Sequence, residues 1–90
     1  MGKAHVDPGE LRRFARDLSR FGEEIQQLTM GLRAKMRDLQ KSWRDQQQQR
    51  FSDEFEKTVK TLRSFSEASQ RHVLFLQQQA GHIEEYLRQR

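Results

Sequence analysis

The 90-residue sequence has no cysteine, one proline, one tryptophan and five glycines. Without thiols it has no disulfides and no thiolate metal site, and cysteine usage leaves the redox compartment open. So little turn-forming material excludes a β-rich fold, which needs Gly, Pro or Asn at every chain reversal. No stretch approaches the ~18 consecutive apolar residues of a membrane-spanning helix. The opening Met1-Gly2-Lys3-Ala4-His5-Val6 has no apolar run after its charge, so no secretory signal peptide is expected. Position 6 lacks the Ser or Thr of a myristoylation signal. Leu, Ile, Val and Phe together make only 20 of the 90 residues, just above the level at which a chain ceases to bury enough surface to fold.

What is present is charge in helical register. One third of the residues are charged, with a net +4, and mean hydropathy is −1.07. Asp7-Pro8-Gly9-Glu10 reads as a helix start: an acid at the N-cap, Pro at the first helical position and Glu at the third, the pattern of a capping box. Val6 and Leu11 are placed to form the accompanying hydrophobic staple. Apolar residues then follow at Leu11, Phe14, Leu18, Phe21, Ile25, Leu28, Leu32, Met36, Leu39 and Trp43. Their three- and four-residue steps define a packing seam, and two successive four-residue steps around Leu32 form a stutter. The spacing predicts helix 1 over about 8–42. Asp45 with Gln48 repeats the capping pattern, so a turn is expected at about 43–45 and a second helix over about 46–88. A single unbroken helix is the competing reading; it would place Asp45 in a helix interior, where its side chain competes with the backbone.

Helix 2 continues the rhythm through Phe51, Phe55, Val59, Leu62, Phe65, Ser69, Val73, Leu76, Ala80, Ile83 and Leu87. Val73-Leu74-Phe75-Leu76 is the one unbroken apolar run of four. Four consecutive helical residues cover every side, so Leu74 or Phe75 must point away from helix 1. The expected fold is all-α: one domain over residues 1–90, an antiparallel two-helix hairpin. A lone hairpin buries too little to offset the entropy of ordering it. Dimerisation into a four-helix bundle is therefore expected, with Leu74 and Phe75 as a candidate dimer face.

A helical hairpin of this length with Trp43 at the turn resembles the WXG family, the small early-secretory-antigenic-target-like substrates of bacterial type VII secretion. Trp43 and Phe51 stand at the family's spacing, Phe55 continues the stripe, and Val6-Asp7-Pro8 ahead of a Leu/Phe seam is similar as well. The turn motif here is Trp43-Arg44-Asp45, with Asp in the place of Gly; both residues are accepted N-caps. Relatives or their partners often carry Tyr-x-x-x-Asp/Glu near the C-terminus, whereas Tyr86 is followed four positions later by Arg90. The resemblance implies a secreted or co-secreted dimeric hairpin, pairing with itself or with a related hairpin. It also implies recognition by a membrane-bound secretion ATPase or travel with a larger secreted protein, without a cleaved signal peptide. The missing acid leaves room for a cytoplasmic adaptor that is not exported.

Charge is concentrated at the expected turn. Between Arg33 and Arg50 six basic residues face two acidic ones, and the remainder of the chain balances to zero. Arg37, Lys41, Trp43, Arg44 and Arg50 form a candidate partner-binding tip, able to meet an acidic partner, an anionic membrane surface or, with less support, nucleic acid. The bland reading is that Arg37, Lys41 and Arg44 complement the helix 1 dipole and that Trp43 closes the seam. Similarly, Arg12, Arg16 and Arg20, with Asp17, Glu23 and Glu24 beside them, read as a solvated face. His72 and His82 lie about 80° off a shared helical face, and no acid–His spacing completes a metal site. No catalytic motif, nucleotide-cradling glycine loop or cofactor box is present. The expectation is a non-enzymatic protein without cofactor or small-molecule substrate, acting through protein–protein contact.

Overall fold

The computed structural model of the protein describes residues 6–89. The readings made at Met1–His5 and at Arg90 lie outside them. Two elements make up the described fold, helix α1 (Pro8–Gln40) and helix α2 (Gln46–Arg88). Asp7 starts α1 in extended conformation, and its carboxylate accepts the Gly9 N–H at 2.9 Å. Its carbonyl takes the N–H groups of Glu10 and Leu11. Pro8 sits where a missing N–H costs nothing. The expected capping box is one-sided: the Asp7 carboxylate bonds the second helical N–H instead of the third. Asp45 caps α2 in the same one-sided way, its Oδ1 accepting the Gln48 N–H at 3.0 Å. The Gln48 side chain turns instead to the Ser52 hydroxyl, 2.7 Å away.

The reversal requires no left-handed residue. The N–H groups of Lys41 and Ser42 bond carbonyls three residues back, at 3.1 Å each, and that of Trp43 returns to Leu39 at 2.9 Å. This tightened last turn satisfies the carbonyls that a helix end leaves open and stops α1 at Gln40, two residues before the expected boundary. No described residue has positive φ, so the chain leaves α1 and enters α2 through ordinary extended backbone at Asp45 (φ −89°, ψ −176°).

The helices then pack antiparallel along their whole length, and the residues between them are mostly small. Ala15, Gly22 and Met36 of α1 are buried, as are Val59, Ser66, Ser69, Val73 and Ala80 of α2. The α2 set Val59, Ser66, Val73 and Ala80 repeats every seven residues, as do Ala15 and Gly22 across the interface. Leu11, Leu18 and Ile25 are half-buried beside them. This corrects the single seam read from the sequence: Phe14, Phe21, Leu28, Leu32 and Leu39 are exposed. Helix geometry supplies the reason. Phe14, Phe21 and Leu28 follow Leu11, Leu18 and Ile25 by three residues, ~300° around the helix, and so stand about 60° to one side of them. The 3/4 pattern is thus two adjacent stripes, one turned towards α2 and one beside it. Gly22 likewise faces inward, towards Ser66, Ser69 and Gln70.

The hairpin is a rod of 68 × 20 × 16 Å with a radius of gyration of 20.3 Å. A compact domain of this length has a radius near 12 Å. The accessible surface is 7350 Å², against about 5,500 Å² for a compact monomer of this mass. An elongated hairpin with five buried apolar side chains among the described residues leaves most of its large residues on the outside. Where they sit decides what the molecule does.

Candidate interaction site

The two long edges of the hairpin differ in character. Along one edge, where both helices meet solvent, polar groups cross the gap. Arg12 forks onto Glu84, with Nε donating at 2.9 Å and Nη2 at 2.7 Å to the two carboxylate oxygens. Arg33 approaches Glu56 at 3.4 Å, and Gln40 Nε2 donates to the Ser52 hydroxyl at 2.8 Å. The hydrogen bond from Arg12, helped by its charge, holds the Glu84 carboxyl below the ordinary carboxylate range against the opposing effect of burial. Glu84 in turn raises Arg12, chiefly through the same bond. Between these pairs lies a half-open cleft of about 320 Å³ whose walls include Ile25, Met30, Val59 and Leu62, with Arg33 and Arg63 among its polar residues. The one hydroxyl lining it, Thr29 Oγ1, donates to the Ile25 carbonyl at 2.7 Å and is thereby committed to the helix.

The opposite edge is apolar. Phe14, Phe21, Leu28, Leu32 and Leu39 descend α1 in steps of seven, seven, four and seven residues, the four-residue step being the stutter. Phe51, Phe65 and Leu87 rise along α2 on the same side, with half-buried Leu76 and Ile83 between the last two. The stripes join across the interface at Phe21 and Phe65, whose rings meet edge to face at 5.8 Å and 86°. Leu28 is 74% exposed. The band runs along most of a 68 Å rod, and contiguous exposed apolar surface of this kind is the usual mark of an interaction site. Acidic residues border it near the open end of the hairpin, where Glu10, Asp17 and Glu24 share one helical column of seven-residue spacing. Lys35 borders it nearer the tip. The sequence carried a signal for this edge that the apolar pattern hid: the seven-residue recurrence of Ala15 and Gly22, small residues that mark the centre of the helix–helix contact.

Leu74 and Phe75, the candidate dimer face of the sequence, are both exposed, at 59% and 57%. They stand apart from the long apolar edge. Leu74 is nine residues beyond Phe65, about half a turn around α2, and Phe75 is about 80° from Phe65. Together they form a separate patch on the outer side of α2.

At the tip, Trp43 is half-buried and leans on Phe51, ring centroids 5.9 Å apart, and Phe51 stacks on Phe55 at 6.0 Å. The indole thus closes the end of the helix pair. Arg37, Lys41, Arg44 and Arg50 lie within seven residues of it along the chain, all exposed. Lys41 reaches Asp38 at 3.4 Å; Arg37, Arg44 and Arg50 form no ion pair among the described residues. Asp45 is occupied as the α2 cap. Among the described residues no three His, Asp or Glu side chains converge on a point where a metal could sit, and no helix is long and apolar enough to cross a membrane.

A cysteine-free antiparallel helical hairpin with one apolar edge and a tryptophan at its reversal defines a class: small all-α hairpin proteins. The family model of WXG100, proteins of 100 residues with WXG, matches residues 3–86, and the chain belongs to that family. WXG100 proteins are small, non-enzymatic helical proteins of type VII secretion systems, typically dimeric and secreted. No curated protein matches the chain at a significant level. The third position of the signature is Asp45 here, and the structure accounts for it. Its backbone needs none of glycine's freedom, and its carboxylate satisfies an N–H that glycine would leave to water.

Proposed function

We propose that this chain is a type VII secretion substrate or co-secreted partner that works by pairing with a second helical hairpin to form a four-helix bundle. The observation that carries the proposal is the apolar edge from Phe14 to Leu39 and from Phe51 to Leu87. At ~1.5 Å per residue the edge runs roughly 40 Å along α1 and roughly 55 Å along α2, a length suited to the ~800 Å² per partner that stable interfaces bury. Its composition, large Phe and Leu with charge confined to the borders, is that of an obligate interface. Pairing supplies the core that the small-residue contact between α1 and α2 lacks. Two of the protein's features then have separate tasks: Trp43 and Asp45 hold the reversal, and the apolar edge recruits the partner. Catalysis has no part in this reading.

Light scattering on the purified chain tests the pairing directly. A mass of twice 10.8 kDa identifies self-association, and a monomer that doubles only with a co-expressed neighbour identifies a heterodimer. A chain that stays monomeric at micromolar concentration with every co-expressed hairpin refutes it. Export is tested by comparing extracellular levels with and without the host's secretion ATPase; unchanged levels exclude that route. Arg90, four residues after Tyr86 where relatives or their partners often carry an acid, favours a second reading in which the bundle stays in the cytoplasm as an adaptor or leaves on its partner's signal. Recovery of the protein solely from the cytosol, bound to a helical partner, supports that alternative.

A further inference from the structure

The basic tip is not used by the pairing reading, which runs along the edge of the rod and not over its end. We infer that the tip is a docking site for anionic lipid surfaces, with Arg37, Lys41, Arg44 and Arg50 contacting headgroup phosphates and the Trp43 indole seated at the interface. Four observations support it. Between Arg33 and Arg50 six basic residues face two acidic ones, and of the six only Arg33 pairs with an acid beyond that stretch, Glu56. The four cations are exposed, Arg37 and Arg50 near the ends of the two helices and Lys41 and Arg44 on the connection between them, so all four lie at one end of the rod. Three of them form no ion pair among the described residues, and the fourth holds only a wholly exposed contact at 3.4 Å. The chain's single tryptophan stands among them, half-buried against Phe51. An aromatic ring with an apolar body and a polar N–H, with Lys and Arg close by, is the chemistry of the membrane interface.

The shape of the end distinguishes the occupant. The helices arrive at the tip end-on and reverse within five residues, Lys41–Asp45, so neither lies along a groove as duplex recognition requires. The described cleft lies further along the rod, at Arg33 and Arg63, and not among the four tip cations. Cations gathered at one end of the rod match a flat, negatively charged surface. Anionic membranes attract each near-surface Lys or Arg enough to raise partitioning about fivefold, so four give a preference of several hundredfold over neutral lipid.

The test is partitioning of the full chain onto vesicles of phosphatidylcholine with 30% phosphatidylglycerol, against phosphatidylcholine alone. It is read by co-sedimentation and by the emission of Trp43, which serves as the reporter at the site. Expected is binding to the anionic vesicles with a blue shift and protection from a soluble quencher. It should be weak on neutral vesicles and be lost at 1 M salt, where the screening length falls to about 3 Å. Lys41→Glu with Arg44→Glu should lower partitioning more than twenty-five-fold while circular dichroism shows the helices intact. Arg16→Glu with Arg20→Glu, the same charge change about 30 Å or more from the tip, should leave it nearly unchanged. Equal binding to both vesicle types, no binding to either, an equal loss in the two variants, or displacement from vesicles by an equal phosphate concentration of duplex DNA would each overturn the proposal. None of these outcomes depends on whether the chain pairs along its apolar edge.

Discussion

Leu28→Ala separates the two roles that the apolar residues of α1 fill. In the hairpin Leu28 is 74% exposed, so truncation removes little that α2 covers. A fully buried Leu→Ala change costs ~2–5 kcal/mol; with about a quarter of the side chain covered, the hairpin itself should lose less than ~1 kcal/mol. In a symmetric bundle each side chain counts twice. If pairing buries the exposed part of both copies, at ~2 kcal/mol for a full leucine, the dimer loses about 3 kcal/mol, a rise in dissociation constant of the order of a hundredfold. Sedimentation equilibrium over a concentration series measures the second quantity. The first is the part of the total loss in denaturant unfolding, measured on both proteins as dimers at equal concentration, that the change in association does not account for. The reasoning fails if the monomer is destabilised by 2 kcal/mol or more, which would place Leu28 in the hairpin core, or if Leu28→Ala leaves association unchanged. Val73→Ala, from the buried set, gives the reverse pattern: a cost of ~1–3 kcal/mol to the hairpin itself.

Three further substitutions test other parts of the structure. Asp45→Ala should cost about 1 kcal/mol and Asp45→Gly only a few tenths, because the carboxylate caps α2 and glycine tolerates the site; equal losses in denaturant midpoint would mean the cap is unimportant. Gly22→Ala should raise the melting temperature. The added methyl meets Gln70, Ser66 and Ser69 at 3.9 Å, ordinary contact distance, while the helix gains ~1 kcal/mol in propensity; a fall would show the helices packed more closely than this. The Glu84 carboxyl is held below its usual range by Arg12, so its contribution is present above the unfolded carboxylate pKa near 4.3. It is lost as pH falls through the lower folded value. Glu84→Gln should therefore flatten the acid limb of the stability profile below about pH 4.3, and an unaltered limb would refute the coupling.

How much of this was legible beforehand depends on what a residue pattern encodes. The two helices, the reversal beside Trp43 and the cap at Asp45 rest on local chemistry: a carboxylate one residue before a helix, a proline at its first position, a break in amphipathic rhythm. Such signals need no knowledge of the partner surface. Which stripe faces which neighbour is tertiary, and there the pattern misled. Apolar size draws attention to Phe14, Phe21 and Leu28, yet Ala15 and Gly22 occupy the contact because small residues let two helices approach. Ser66 and Ser69, nominally polar, are buried for the same reason. Similarly, nothing local to Arg12 and Glu84 announces a pairing between residues 72 positions apart. The tip was visible as a charge sum, and the fold added that its cations come from both helices and from the connection that holds the indole.

The distribution of size across the rod carries one more consequence. A hairpin that turns Ala15, Gly22, Ser66, Ser69 and Ala80 inward and its phenylalanines outward has placed its small residues where α1 meets α2 and its large ones where a partner docks. The greater part of the apolar surface available for burial is then buried only on association. Unfolding should consequently be coupled to dissociation, and the melting temperature should rise with protein concentration as mass action requires of a folded state that is an assembly. A hundredfold increase in concentration contributes about RT ln 100, ~2.7 kcal/mol per mole of dimer. Spread over a domain of this size, that is several degrees. Scanning calorimetry from micromolar to hundreds of micromolar measures it. A midpoint that does not move across that range would mean the small-residue contact suffices alone, and the exposed Phe and Leu edge would then have no role in holding the fold together.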